Sequence, residues 1–461
     1  MQQKAGWREL FVGQWGLMTA VLASGIGLHG IGIFVAATIM PSVVADIGGL
    51  ALYSWSFTLF IAASIVSAAS GAALRQVIGG RGSYMVAGGL IIAGLVVAAL
   101  APSFPIMLIG RALQGLGGGF ILANSYMIVG AIYPDALRPR GQALLSGMWG
   151  VAALVGPALG GLLAGSGHWR LAFWTLVPAV VLVMVLARLG IPAIAERRRV
   201  PLPGVRLTLL GGSILVVSAA SSAPALWQGG LLLVVALGMA ALALRLDGRA
   251  GHRLFPHQPL AWRRHGPGYW IAILLPLTTT PMAVFVPLAM QRLHGLAPLP
   301  AGYFFTIFSF AWTFSAVVIA AVPAGAARHL IRFGPVLVAA GLAGTIVTLS
   351  HAAPGWIALV LAVTGVGIGL CWSHVINAIV RLVPPAERAM AASSVPTFQT
   401  YGMAFGAALG GLVANASGFA RDAGPEIIGL AIDRVFIVFL LLALVGVFAG
   451  WRLVAEGQRH G

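Results

Sequence analysis

Apolar residues run along this chain in blocks of about twenty, separated by short stretches that hold nearly all of its charge. Fourteen such runs are read: 16–43, 52–74, 84–102, 105–131, 141–166, 171–190, 206–223, 228–245, 268–291, 300–325, 333–351, 355–380, 391–417 and 433–454. None alternates polar with apolar positions, so strands are not predicted. A run of about twenty apolar residues is what a membrane-crossing helix needs, because lipid offers the backbone no hydrogen-bond partners. The predicted fold class is an all-α membrane protein with 14 transmembrane helices. The first run follows Lys4 and Arg8 as a signal peptide would, but it continues to Val44, too long for a signal's apolar region, and reads as the first span.

Composition agrees: 59% of residues are hydrophobic and 8% are charged, against about 25% charged in soluble proteins. The formal charge of +17 suggests a nucleic-acid binder only until the basic residues are placed. With the N-terminus inside, 22 of the 27 Lys and Arg fall in cytoplasmic segments. The outer segments hold Arg170, Arg292, Arg421 and Arg434, and Arg111 is left within the membrane. That asymmetry follows the positive-inside rule. It predicts a multi-pass protein of the cell inner membrane, embedded in the lipid bilayer, with both termini cytoplasmic and no nucleic-acid partner.

The chain also resembles itself. At an offset of 250, residues 115–167 align without a gap to residues 365–417: "GLGGGF" meets "GVGIGL", and "GPALGGLLA" meets "GAALGGLVA". A repeat with the same direction predicts two parallel six-helix bundles, at 1–190 and 268–461, with a central two-helix insertion at 191–267. Repeated halves around a membrane-normal axis are a recurring architecture of secondary transporters, with the substrate cavity between the halves.

Several stretches then carry a family resemblance. "GRALQGLGGG" (110–119), "GVAALVGPALGG" (150–161), "TIMPSVVADIGG" (38–49), "WRLAF" (169–173) and "AMQRLHGLAPLPAG" (289–302) together resemble the fourteen-span drug:proton antiporter branch of the major facilitator superfamily. The resemblance implies gating or coupling roles for Arg111 and Gln114 on the fourth span, and for the Gly156-Pro157 bend on the fifth. It implies that spans 1, 4, 9 and 12 line the cavity. Two positions depart from the branch pattern: Gly32 stands where the first span usually carries an aspartate, and Gln76 where the connection after span 2 usually carries an acid.

The ten acids are Glu9, Asp46, Asp135, Glu196, Asp247, Glu387, Asp422, Glu426, Asp433 and Glu456, and none lies in mid-span. A lipophilic-cation exporter needs a buried carboxylate to attract its cargo and to trade it for a proton, so the expected cargo is a neutral or anionic amphiphile. The titratable or cationic groups within spans are Arg111, His29 and His374. Histidine titrates near neutral pH and can carry a proton. The offset of 250 sets His374 at the position of Asn124. Arg111 lies about 20 Å along the helix axis from Asn124, towards the outer end, where running out to the interface would be its ordinary role. Trp55, Thr279, Trp372, Asn377, Gln399 and Tyr401 are further candidates for a mostly apolar cavity.

No phosphate loop, metal-ligand spacing or nucleophile signature is present, so neither an enzyme nor a cofactor is predicted. The single cysteine, Cys371, rules out an internal disulfide. The expected function is proton-coupled efflux by a monomer, its partners being a small-molecule substrate, protons and the bilayer. The alternative is an uncoupled facilitator or a flippase for lipid-like amphiphiles.

Overall fold

Helices dominate because each apolar run must satisfy its own backbone. The computed structural model describes residues 7–134, 137–191, 204–223, 225–251, 253–319, 326–419 and 424–460. Lys4, Asp135, Glu196, Arg197, Arg198, Arg199, Arg421 and Asp422, which entered the charge reading, lie outside the described residues. The described helices are α1 (Gln14–Ile47), α2 (Trp55–Ala99), α3 (Phe104–Ile132), α4 (Arg138–Gly165), α5 (Trp169–Trp174), α6 (Leu176–Gly190) and α7 (Gly204–Ser221). They continue with α8 (Leu226–Gly248), α9 (Gly266–Arg292), α10 (Pro298–Ile319), α11 (Ala327–Thr348), α12 (Pro354–Leu382), α13 (Arg388–Ala416) and α14 (Pro425–His460).

Two boundaries differ from the sequence reading. The second and third spans form one helix, α2, broken only at Gly79, whose φ of 74° and ψ of 171° turn the backbone between them. Glycine alone accepts that conformation without a Cβ clash, so a single residue does the work expected of a loop. The sixth span is split at Thr175 into α5 and α6.

Thirteen segments among the described residues are long and apolar enough to cross a membrane. The exception is α13, the span read at 391–417. It carries Gln399, Thr400, Tyr401, Asn415 and four glycines, and it packs most closely on α9. A helix sheltered by neighbouring protein has less need of an apolar surface than one facing lipid. Large apolar side chains such as Leu154, Leu162, Leu231 and Phe314 are left exposed, as suits a chain solvated by lipid.

The backbone forms two compact units, Met1–Gly49 with Leu59–Leu207 and Ala297–Gly302, and Leu50–Thr58 with Thr208–Leu296 and Tyr303–Gly461. In the first, α1 packs against α3, α4 and α6. Its contact with α4 is close because Gly156 sits on Phe34 and Ile31, and Gly160 on Val35 and Ile39. Small residues four apart let two backbones approach, as packing in lipid requires. In the second, α9 is the central helix, with 94% of its most apolar stretch buried against α12, α13 and α14. Among the described residues, its three buried threonines bond within their own helix. Thr278, Thr279 and Thr280 donate to the carbonyls of Leu274, Leu275 and Pro276 on the preceding turn.

Candidate functional site

Three helices of the first unit meet at one aromatic ring, and a fourth closes on it through His29. Phe60 of α2 is buried, and the Arg111 guanidinium of α3 lies over its ring at 4.3 Å from the centroid. The His29 imidazole of α1 stacks against the same ring, with centroids 5.3 Å apart and planes 25° from parallel. Trp149 of α4 meets His29 edge-on at 5.9 Å. Gly118 of α3 leaves the space that the imidazole fills, since a Cβ there would collide with Nδ1.

Arg111 is 1% exposed, so it does not run out to the interface. Its Nη1 donates to Gln114 Oε1 at 2.5 Å, and Gln114 Nε2 donates to the Gly94 carbonyl at 3.0 Å. The α2 backbone comes near enough to accept that bond because Gly94 and Gly110 face each other. A Cβ on Gly94 would stand 2.6 Å from the Gly110 oxygen, and one on Gly110 would stand 2.7 Å from the Gly94 oxygen. His29 is 7% exposed, and its Nδ1 is buried without a hydrogen-bond partner among the described residues. The site thus pairs a buried cation with a buried titratable ring. A cation held over an aromatic face gains about 2 kcal/mol or more when desolvated.

The other predicted residues are placed as follows. Asn124 is fully buried between α2 and α3, its Nδ2 donating to Ser83 Oγ at 2.9 Å and its Oδ1 without a partner among the described residues. Beside it, Tyr84 and Ser125 share a hydrogen bond between the same two helices. Pro157 is buried within α4, beside the space left by Gly302. In the second unit, His374 is half-buried on α12, with Nε2 buried and unpartnered among the described residues. Trp372 meets Trp312 edge-on at 6.3 Å. Asn377 is exposed and Gln399 half-buried. Tyr401 shares a hydrogen bond of 2.7 Å with Ser213 and stacks on Phe405. Trp55 Nε1 donates to Ser222 Oγ. Arg111, Gln114 and His29 are therefore brought together, whereas Asn124 and His374 belong to different units.

Sequence reasoning missed Phe60, Gly94 and Trp149. Phe60 is one of 21 phenylalanines, inside an apolar run with no charged residue to mark it. It did not foresee how two motif stretches meet either. Asp46, at the end of α1, accepts from Trp169 Nε1 at 3.1 Å and Arg170 Nη1 at 2.6 Å, and Arg170 Nη2 reaches the Ala101 carbonyl. This tie joins α1, α5 and the connection between α2 and α3 at one end of the unit.

The pattern of the Major Facilitator Superfamily matches residues 22–322. A Mycobacterium tuberculosis protein described as a probable multidrug-efflux transporter is 34% identical over 475 residues, covering 99% of this chain and 98% of the relative. A multidrug transporter protein of Bacillus subtilis is 23% identical, covering 83% of this chain and 72% of its own. Among solved structures, a peptide transporter in complex with sulfate superposes with a TM-score of 0.69 at 17% identity, covering 99% and 98% of the two chains. A nucleoside transporter gives 0.64 at 14% identity, covering 95% and 99%. These two establish the shared fold. The family match and the full-length relative, and not the fold alone, define the class as a membrane transporter. The chain belongs to the Major Facilitator Superfamily.

Proposed function

We propose that this transporter exports a neutral or anionic amphiphilic small molecule across the cell inner membrane, by alternating access and in exchange for protons. The observation that carries the reading is the charge of the buried site. A guanidinium 1% exposed lies within α3, and no acid occurs anywhere between Asp46 and Asp135. A positive site in a low-dielectric setting repels cations and attracts anions or the negative ends of dipoles. The efflux direction draws on the mycobacterial relative, which is matched along nearly its whole length. His29 is the proton carrier favoured here, because among the described histidines it shares a buried contact with Arg111's platform. The parallel halves, the 14-span count and the cytoplasmic termini belong to the same proposal, supported by the offset of 250 and the placement of Lys and Arg.

Everted membrane vesicles test it. Accumulation of an anionic or neutral amphiphile should rise when the vesicle interior is made acid and collapse on adding a protonophore. The second reading, an uncoupled facilitator or flippase, is favoured by the lack of any mid-span carboxylate. It predicts equal rates with and without the gradient.

A further inference from the structure

The stack around Phe60 has a property that neither Arg111 nor His29 has alone. Both contact the same ring, one through its guanidinium at 4.3 Å and the other through stacking at 5.3 Å. A ring face is negative and its quadrupole is fixed, so it supports one adjacent positive charge well and a second at the cost of repulsion from the first. Among the described residues, Arg111 is the charged group acting on His29. From α2 the imidazole meets Phe60, from α4 Trp149, and from α3 Gly118. The remaining charges on elements packed against α1 lie far along its axis. Arg188 ends α6 near Leu17, Arg170 of α5 holds Asp46, Arg8 and Glu9 precede α1, and Arg138 and Arg140 open α4 before Trp149. Each is nine or more positions along a helix from the level of His29, roughly 13 Å or more at the helical rise.

We propose that Phe60 is the positioning residue of the coupling site: its ring holds Arg111 and His29 together, so that a proton taken by His29 alters how firmly Arg111 is held. This rests on the proposed proton-coupled export. Protonating His29 puts two positive charges on one ring. The guanidinium then loosens from the ring, or an anion enters to offset the pair. Either event links the proton to the buried positive charge of the site, with no carboxylate required. The backbone supports the arrangement independently, because Gly115 lets the Phe60 main chain lie directly on α3 and thereby fixes where the ring stands.

The test compares F60L, which keeps apolar volume without the ring, with F60W, which keeps the ring. Export into everted vesicles is measured from pH 6 to pH 8, at about matched protein levels and with monodispersity checked in detergent. The expected result is that F60L lowers export by about tenfold and flattens its pH profile, while F60W keeps the wild-type profile. An F60L profile like the wild type, or F60W failing as F60L does, overturns the proposal. If wild-type export ignores pH and gradient, the coupling reading itself has failed. The positioning role is then read from thermal unfolding of F60L, R111Q and the double variant. Non-additive shifts support the ring's hold on Arg111, and additive shifts overturn it.

Discussion

α3 and α12 place the same glycines against their neighbours and carry different chemistry. On α3, Gly115 lies against the Phe60 backbone, Gly117 against Ala87 and Ile91, and Gly119 against Ser64 and Ser67. On α12, 250 positions later, Gly365 lies against the Phe308 backbone, Gly367 against Gly334 and Val338, and Gly369 against Trp312 and Ser315. The polar positions part company. Arg111, Gln114 and Asn124 on α3 stand where α12 has Leu361, Thr364 and His374. Leu361 is fully buried, and Thr364 donates to its own helix at Val360. Close packing is thus common to the two helices, and the buried cation belongs to one. A resemblance between the halves explains how the helices pack, while the difference shows where to look for function.

The strongest way to break that comparison is to fill the shared glycines. G115V and G365V each drive side-chain atoms into a neighbouring backbone that has no rotamer to change. Overpacking costs about 1–3 kcal/mol, or more, where the surroundings are rigid. Both variants should lose most of their folded protein by fluorescence-detected size exclusion. Tolerance of one but not the other would show that the two helices pack differently. Next in size, R111L gives α3 the residue that α12 has. It removes the donor to Gln114 Oε1, a loss worth about 1–3 kcal/mol when the acceptor stays buried. Folded protein should persist while export falls by about tenfold or more. Wild-type export by R111L would sever the link between the cation and function. H374A should reduce export less than R111L does, since His374 is only half-buried and shares no ring with Arg111. A larger loss than R111L would move the proton path to α12.

The smallest expected effect concerns the second unit's connection between α8 and α9. Glu387 accepts from Arg253 at 2.7 Å and from the His257 backbone N–H at 3.2 Å. Desolvation pushes its carboxyl up, but these bonds outweigh it and hold the group below the usual carboxylate range. A depressed folded-state value contributes stability that is present above the unfolded value, about 4.3, and lost as pH falls through the folded one. E387Q should therefore unfold at a slightly lower temperature than the wild type at pH 7. That gap should close as the pH falls below about 4, as read by thermal shift. A gap independent of pH would assign the effect to shape and not to charge.

Much of the fold was legible because lipid imposes a simple rule. Runs long enough to span must be helical, and they became helices within a few residues of their read limits, as at 355–380 against Pro354–Leu382. What the pattern hid was local. Arg75, Gln76 and Arg81 marked a break between two runs, but not that Gly79 alone would make it within one continuous helix, and Thr175 breaks a helix inside an apolar stretch. The site was half legible. Arg111, Gln114 and His29 stood out because polarity in an apolar run is conspicuous. Phe60 and Trp149 did not, because an aromatic within an apolar run looks the same whether it packs or carries a charge. Asn124 was read as a cavity residue from its position in the repeat. Its bond to Ser83 depends on how α2 and α3 face each other, which the sequence does not display.

The most direct test of the central claim is the charge of the cargo. In a strain lacking its own efflux pumps, wild type and R111L would be compared against matched cationic, neutral and anionic amphiphiles. The account predicts that wild type protects against neutral or anionic compounds, that R111L loses this protection, and that cationic dyes such as ethidium are not exported. Efficient ethidium export by the wild type, kept in R111L, would contradict it.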